Sequence, residues 1–169
     1  MDPCNILIVD DDPDVLLAAQ VVLKKQFRTV VTDNDPTHLP KLLADGNFDV
    51  VLLDMNFAVG VTSGEEGIGW LKTVQRVSPD TKVILMTAYG AVDMAVNAMK
   101  QGASDFVVKP WDNDRLVATV RSTTRLSQAA RAIRNLESVQ KVLNRDTGRT
   151  RGAIIGQSAA IRGVLATIQ

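Results

Sequence analysis

Apolar residues along this chain gather in short runs separated by stretches of helical spacing. Asn5 to Val9, Phe27 to Thr32, residues 49 to 54, Lys82 to Met86 and Asp105 to Val108 are rich in aliphatic and β-branched residues, and each predicts a strand. In the third, Val50 to Leu53 are apolar without a break, as expected of a strand covered on both faces. Helices are predicted between the runs. Pro13 follows Asp12, a fitting N-cap, and Asp14 suits the helix dipole. Asp35-Pro36 opens a short helix staggered by Pro40, WLKTVQRV has helical spacing over 70–77, Ala91 to Gln101 is closed by Gly102, and a last helix begins near Asp112 or Asn113. The glycine-rich segment 60–69, GVTSGEEGIG, reads as an extended loop, because no Lys-Ser or Lys-Thr comes after it as a phosphate loop requires. Strand then helix, five times over, predicts an α/β fold with a doubly wound parallel sheet.

Polar residues at the ends of these runs carry the chemistry. In such a sheet the C-terminal strand ends share one rim, where ligands bind. Asp10 and Asp11 come directly after the first strand, Asp54 ends the third, Thr87 comes after the fourth and Lys109 after the fifth. Three carboxylates in one mouth suit a hard divalent cation, and Mg²⁺ fits better than zinc, for which His and Cys ligands are missing. The mouth holds no Cys or His, which leaves a carboxylate nucleophile beside a metal, an ammonium and a hydroxyl. That is equipment for accepting a phosphoryl group, with Lys109 and the metal neutralising its oxygens and Thr87 hydrogen-bonding one of them.

Composition narrows the setting. Lys plus Arg equals Asp plus Glu at 19 each, so no overall charge favours nucleic acid. The sole cysteine, Cys4, cannot form an internal disulfide and suits a reducing cytosol. No apolar run approaches the roughly 18 residues of a membrane span, and no signal peptide is legible. A cytoplasmic protein with no membrane partner is expected. The single histidine, His38, reads as a polar surface residue away from any acid cluster.

The runs ILIVDDDPDV, VVLLDMN, VILMTAYG and ASDFVVKPW together resemble the receiver domain of two-component response regulators over residues 4 to about 125. The resemblance implies a flavodoxin-like sheet of order 2-1-3-4-5 and a sensor histidine kinase as partner. It implies that Asp54 is the phosphorylated residue, that Asp11 and Asp54 bind Mg²⁺ directly, that Asp10 assists through water, and that the Asn56 backbone carbonyl completes the ligands. Thr87 and Phe106 match the family's switch pair, with Tyr89 a second aromatic nearby, and Lys109-Pro110 matches a peptide that is commonly cis. The segment after Asp54 departs from the family: NFAVGVTSGEEGIGW lacks the usual proline and is longer.

After Lys109 the last helical pattern runs on through RLSQAARAIRNLESVQKVLN. Leu126, Ala129, Ile133, Leu136, Gln140 and Leu143 alternate three- and four-residue steps, a heptad seam that predicts a coiled coil and a homodimer. Arg121, Arg125, Arg131, Arg134, Lys141 and Arg145 make the stretch basic, which reads as a solvated coil face in the absence of aromatics or a reading motif. Asp146 to Gly152 reads as a linker. The final GAIIGQSAAIRGVLATIQ resembles the opening of the AAA+ ATPase module in nitrogen-regulator-type activators of sigma-54 RNA polymerase, but no G-x-x-x-x-G-K-[ST] is present. The expected organisation is a receiver over 1–125, a coiled-coil linker over 126–147, and over 148–169 a linker with the truncated start of an ATPase domain. Sigma-54 polymerase and DNA would be reached through domains outside this chain.

Two functions of different class fit these residues. One is a phosphoacceptor module, not itself an enzyme beyond its own phosphotransfer and dephosphorylation, that resets dimer geometry and controls a downstream ATPase. The other is an aspartate-nucleophile phosphatase of the haloacid dehalogenase type. Such enzymes carry a second Asp two residues after the nucleophile as general acid, and here that position is Asn56. A flavodoxin-like cofactor binder is disfavoured by acids that would repel a flavin phosphate.

Overall fold

The structure is a computed structural model, and it describes residues 2–57, 64–88 and 92–155. Five strands, β1 (Asp2–Val9), β2 (Phe27–Asp33), β3 (Val50–Asp54), β4 (Lys82–Ala88) and β5 (Asp105–Lys109), alternate with α1 (Pro13–Leu23), α2 (Leu39–Asp45), α3 (Glu65–Val77), α4 (Val92–Lys100) and α5 (Asn113–Ile155). A single 3-10 turn, Pro36–His38, precedes α2. All strand pairings are parallel and the order is β2-β1-β3-β4-β5, as the sequence and its resemblance predict. The chain divides into two compact units, Met1–Ala130 and Arg131–Gln169.

Alternation along the strands decides which helix each face receives. Ile6 and Ile8 of β1 join Leu52, Ile84, Leu16, Leu23, Leu116 and Val120 in a core beneath α1 and α5. Leu7 and Val9 join Leu53, Leu85, Leu39, Leu71, Val74 and Ala98 beneath α2, α3 and α4. Every residue of β3 is buried, which is why that run is uninterrupted where a one-sided strand would alternate. Burying a Leu or Ile side chain contributes about 1.5–3 kcal/mol, so the two cores hold both helical layers to the sheet.

Asp12 caps α1 as expected, its Oδ1 accepting from Asp14 N at 2.9 Å. Asp112 does the same for α5, accepting from Arg115 N. Gly102 comes after α4 with φ +99, the left-handed conformation that favours glycine at a helix end.

At three places the structure departs from the expectation. The helix after β3 starts at Glu65 rather than at residue 70, so EEGIG is its first turn and not loop. Gly64 ends the preceding segment at φ +67, Glu65 and Glu66 face the positive end of the helix dipole, and Gly67 is demanded by packing: a Cβ there would lie 2.6 Å from Met55 Cα. Residues 146–152 are helical, within an α5 that continues to Ile155. Gly148 and Gly152 weaken a helix by about 1 kcal/mol each, but only proline removes a bond from the ladder, and none occurs after Pro110. His38 is not remote from acids, for Nδ1 lies 3.1 Å from both Asp33 carboxylate oxygens and Nε2 3.7 Å from Asp35 Oδ2. Asp35 caps the 3-10 turn, and its bonds to the Thr37 side chain and amide hold its carboxyl below the usual range.

Candidate functional site

Register places the polar strand ends together. Val9 pairs with Leu53, so Asp10 and Asp54 leave adjacent strands side by side. Asp54 pairs with Met86, the residue before Thr87, and Ala88 pairs with Lys109 across β4 and β5. The sheet thus delivers Asp10, Asp54, Thr87 and Lys109 to one rim, as parallel pairing requires.

At the centre is the Lys109 ammonium, its Nζ 2.5 Å from Asp10 Oδ2 and 2.6 Å from Asp54 Oδ1. Asp10 is wholly buried, Asp54 nearly so, and Asp11 is exposed. Carboxylate oxygens of Asp10, Asp11 and Asp54 all lie within 4.8 Å of one another. Like charges that close repel, and the ammonium offsets part of the cost. Burial pushes the Asp10 carboxyl up to about 6 against the lowering pull of Lys109, with the Asp54 charge adding to the rise. Burial alone would lower the Lys109 ammonium, yet its bonds to Asp10 and Asp54 carry it above the ordinary lysine range.

The backbone completes the rim. Asp12 N donates to Asp10 Oδ1 at 3.1 Å and Asn56 N donates to Asp54 Oδ2 at 3.0 Å, so each carboxylate is folded over the chain that leaves its strand. The Asn56 side chain is held elsewhere, its Oδ1 accepting from Gly64 N at 3.0 Å. The Lys109-Pro110 peptide is cis. Phe106 is half-buried and packs against the core beneath α3 and α4, while Tyr89 lies outside the described residues.

Two buried oxygens bear on what the rim accepts. Thr87 Oγ1 has no hydrogen-bond partner among the described residues although Thr87 is buried, and Asp10 Oδ2 has no well-aligned donor besides its close ion pair with Lys109. A buried hydroxyl left without a partner costs about 1–3 kcal/mol unless something satisfies it, and a carboxylate oxygen met by one ammonium keeps a lone pair for a cation. An acid oxygen suits a cation and a hydroxyl suits an anion's oxygen. The oxygen-only donor set and the cluster of three carboxylates fit Mg²⁺.

Of the expected dimer seam, Leu126, Ile133 and Leu136 are exposed at 60%, 57% and 70%, and Ala129 is exposed as well. The Leu143 side chain and residues 156–169, which carry the expected start of an ATPase domain, lie outside what the structure describes. Sequence reasoning misses Glu66, whose Oε2 accepts from Phe57 N at 3.1 Å beside the acidic rim. The signal is an acidic pair directly after a glycine, a helix-start pattern hidden by the later glycines.

Comparison with known proteins agrees with this geometry. Residues 6–121 match the response regulator receiver domain family. The transcriptional regulatory protein ZraR of Klebsiella oxytoca is 33% identical over 97% of this chain and 34% of its own length. The regulatory protein AtoC of Escherichia coli K12 is 39% identical over 78% of this chain and 28% of its own. The chain therefore spans about a third of these relatives or less. The N-terminal signal receiver domain of a two-component response regulator from Bacteroides fragilis superposes with a TM-score of 0.66 at 45% identity, over 73% of this chain and 98% of that one. Among the described residues no helix is long and apolar enough to cross a membrane.

Proposed function

The chain belongs to the response regulator receiver domain family, and from that premise we propose that it is a phosphoacceptor switch in which a partner histidine kinase phosphorylates Asp54. The observation that carries the reading is the Lys109 ammonium held between Asp10 and Asp54 at adjoining strand ends. In the transfer, an Asp54 oxygen forms the new P–O bond as the P–N bond of the kinase phosphohistidine breaks, and the departing imidazole takes up a proton. Lys109 meets the phosphoryl oxygens from the opposite side, while Asn56 N steadies the carboxylate. Asp10, Asp11, Asp54 and the Asn56 carbonyl would hold Mg²⁺, which when bound offsets phosphoryl charge.

The switch arises from charge and an unused hydroxyl. A phosphoryl group adds about −1.5 to −2 charges and three acceptors. Thr87 Oγ1, buried without a partner among the described residues, has reason to turn towards them, and Phe106 then turns into the space it leaves. The exposed Leu126, Ala129, Ile133 and Leu136 favour a homodimer through α5, with Leu143 continuing the seam.

In the whole protein this cytoplasmic receiver, residues 1–125, would act through the helical segment 126–147 on a sigma-54-dependent AAA+ module, residues 148–169 carrying a linker and the start of that module. DNA and polymerase are reached through that remainder, and this chain has no enzyme activity beyond phosphotransfer to and hydrolysis at Asp54. The test is labelling with acetyl phosphate and Mg²⁺. Wild type should take up one hydroxylamine-labile phosphoryl group and Asp54→Asn none, whereas full labelling of the variant would place the nucleophile elsewhere.

A further inference from the structure

The start of α3 is stitched to the three residues after the phosphoacceptor. Gly67 N donates to Met55 O at 3.1 Å, Gly64 N to Asn56 Oδ1 at 3.0 Å, and Phe57 N to Glu66 Oε2 at 3.1 Å. The last of these fixes a peptide rather than a side chain. The bond joining Asn56 to Phe57 is trans, since Lys109-Pro110 is the cis bond among the described residues. A trans peptide is planar with its C=O and N–H opposed. Drawing the Phe57 N–H to the Glu66 carboxylate therefore turns the Asn56 carbonyl to the other side. The same Asn56 is pinned from its amide end, where its N–H bonds Asp54 Oδ2. Its side-chain oxygen is already engaged by Gly64, which leaves the backbone carbonyl as the oxygen it can offer a cation.

Resting on the reading of the acidic rim as a Mg²⁺ site, we propose that Glu66 is a positioning residue that sets the Asn56–Phe57 peptide plane so that the Asn56 carbonyl faces the ion. Glu66 touches neither the ion nor the phosphoryl group. It is an outer partner that orients a ligand, a role known to govern metal affinity when the ligand is a side chain and here applied to a main-chain oxygen. The competing role for an acid in a first turn is to complement the helix dipole, which needs the charge but no particular bond.

Glu66→Gln and Glu66→Ala separate the two roles, because glutamine keeps an acceptor oxygen without the charge and alanine keeps neither. Mg²⁺ affinity is measured by calorimetry on the full chain, with Asp11→Asn as a reference and exchange of the Phe57 amide as a second readout. Glu66→Ala should bind Mg²⁺ about three- to tenfold more weakly with a fast-exchanging Phe57 amide, while Glu66→Gln stays within about twofold of wild type. Equal weakening in both variants would overturn the proposal in favour of simple charge, and unchanged affinity in Glu66→Ala would overturn it outright. If Asp11→Asn bound Mg²⁺ as tightly as wild type, the pocket reading itself would fail, which is a separate result.

Discussion

Replacing Asp10 by Asn should stabilise the metal-free protein at neutral pH. Asp10 is fully buried, and its carboxyl is raised from 3.8 to about 6 by that burial, with Asp54 adding to it and Lys109 opposing it. Between about pH 4 and 6 the folded chain holds a proton that the unfolded chain has lost, so stability falls as pH rises through this window and levels off above it. Near pH 7 the ionised group costs about 3 kcal/mol relative to its neutral form. Asparagine resembles that neutral form in size and keeps an oxygen for Asp12 N, while Lys109 retains Asp54 at 2.6 Å. The expected gain is about 1–3 kcal/mol near pH 7.5, about a third of that near pH 4.5, and close to none near pH 3, where the folded and the unfolded acid are both protonated. Urea unfolding in EDTA, followed by the fluorescence of Trp70 and Trp111, measures it, since both lie within the first unit. A variant no more stable than wild type near pH 7.5 would refute the reasoning, showing that the bond to Lys109 outweighs burial. Added Mg²⁺ should stabilise wild type by mass action and the variant much less.

Gly67→Ala should cost about 1–3 kcal/mol in the same unfolding assay, because its Cβ would meet Met55 backbone atoms at 2.6 and 2.9 Å, which cannot swing aside as a side chain can. Gly69→Ala, with nothing within 4 Å of its Cβ, should instead stabilise by a few tenths of a kcal/mol to about 1 kcal/mol. Cys4 is buried against Thr124 and burial pushes its thiol up to about 11, so a disulfide reagent near pH 8 should leave it unmodified until urea unfolds the chain; prompt native labelling would contradict this. The proposed α5 dimer should fall to a monomer in sedimentation on Ile133→Asp without a change in Mg²⁺ affinity, since the change puts a charge on an exposed seam position and removes no group from the acidic rim; a wild type that sediments as a monomer would overturn the seam.

The parts of this molecule that are readable from residue types are those where one physical demand dominates. A strand buried on both faces has to be apolar throughout, so β3 is visible as Val50 to Leu53, and the acid, hydroxyl and ammonium groups at the ends of such runs are conspicuous. Convergence of Asp10, Asp54 and Lys109 is then a result of parallel pairing alone. Where two demands compete, the residue type misleads. Gly67 signals a loop by its propensity yet sits in a helix because no Cβ fits against Met55. His38 looks isolated when β2 is taken to end at Thr32, whereas the strand continues to Asp33 and the Asp35 cap folds the next turn back upon it. Residues 146–152 look like a linker by composition, but glycine only weakens a helix that proline would end.

The contact between Gly67 and Met55 also bears on how this segment can diverge among relatives. Because α3 is fastened to the strand end at Gly64, Glu66 and Gly67, its seat does not depend on how many residues intervene after Phe57. An insertion or deletion between residues 57 and 64 leaves those bonds, and with them the register of the helix against the sheet, unchanged. The chain between strand and helix is thereby free to change length at a loop-closure cost that rises only slowly, by about 0.6 kcal/mol per doubling.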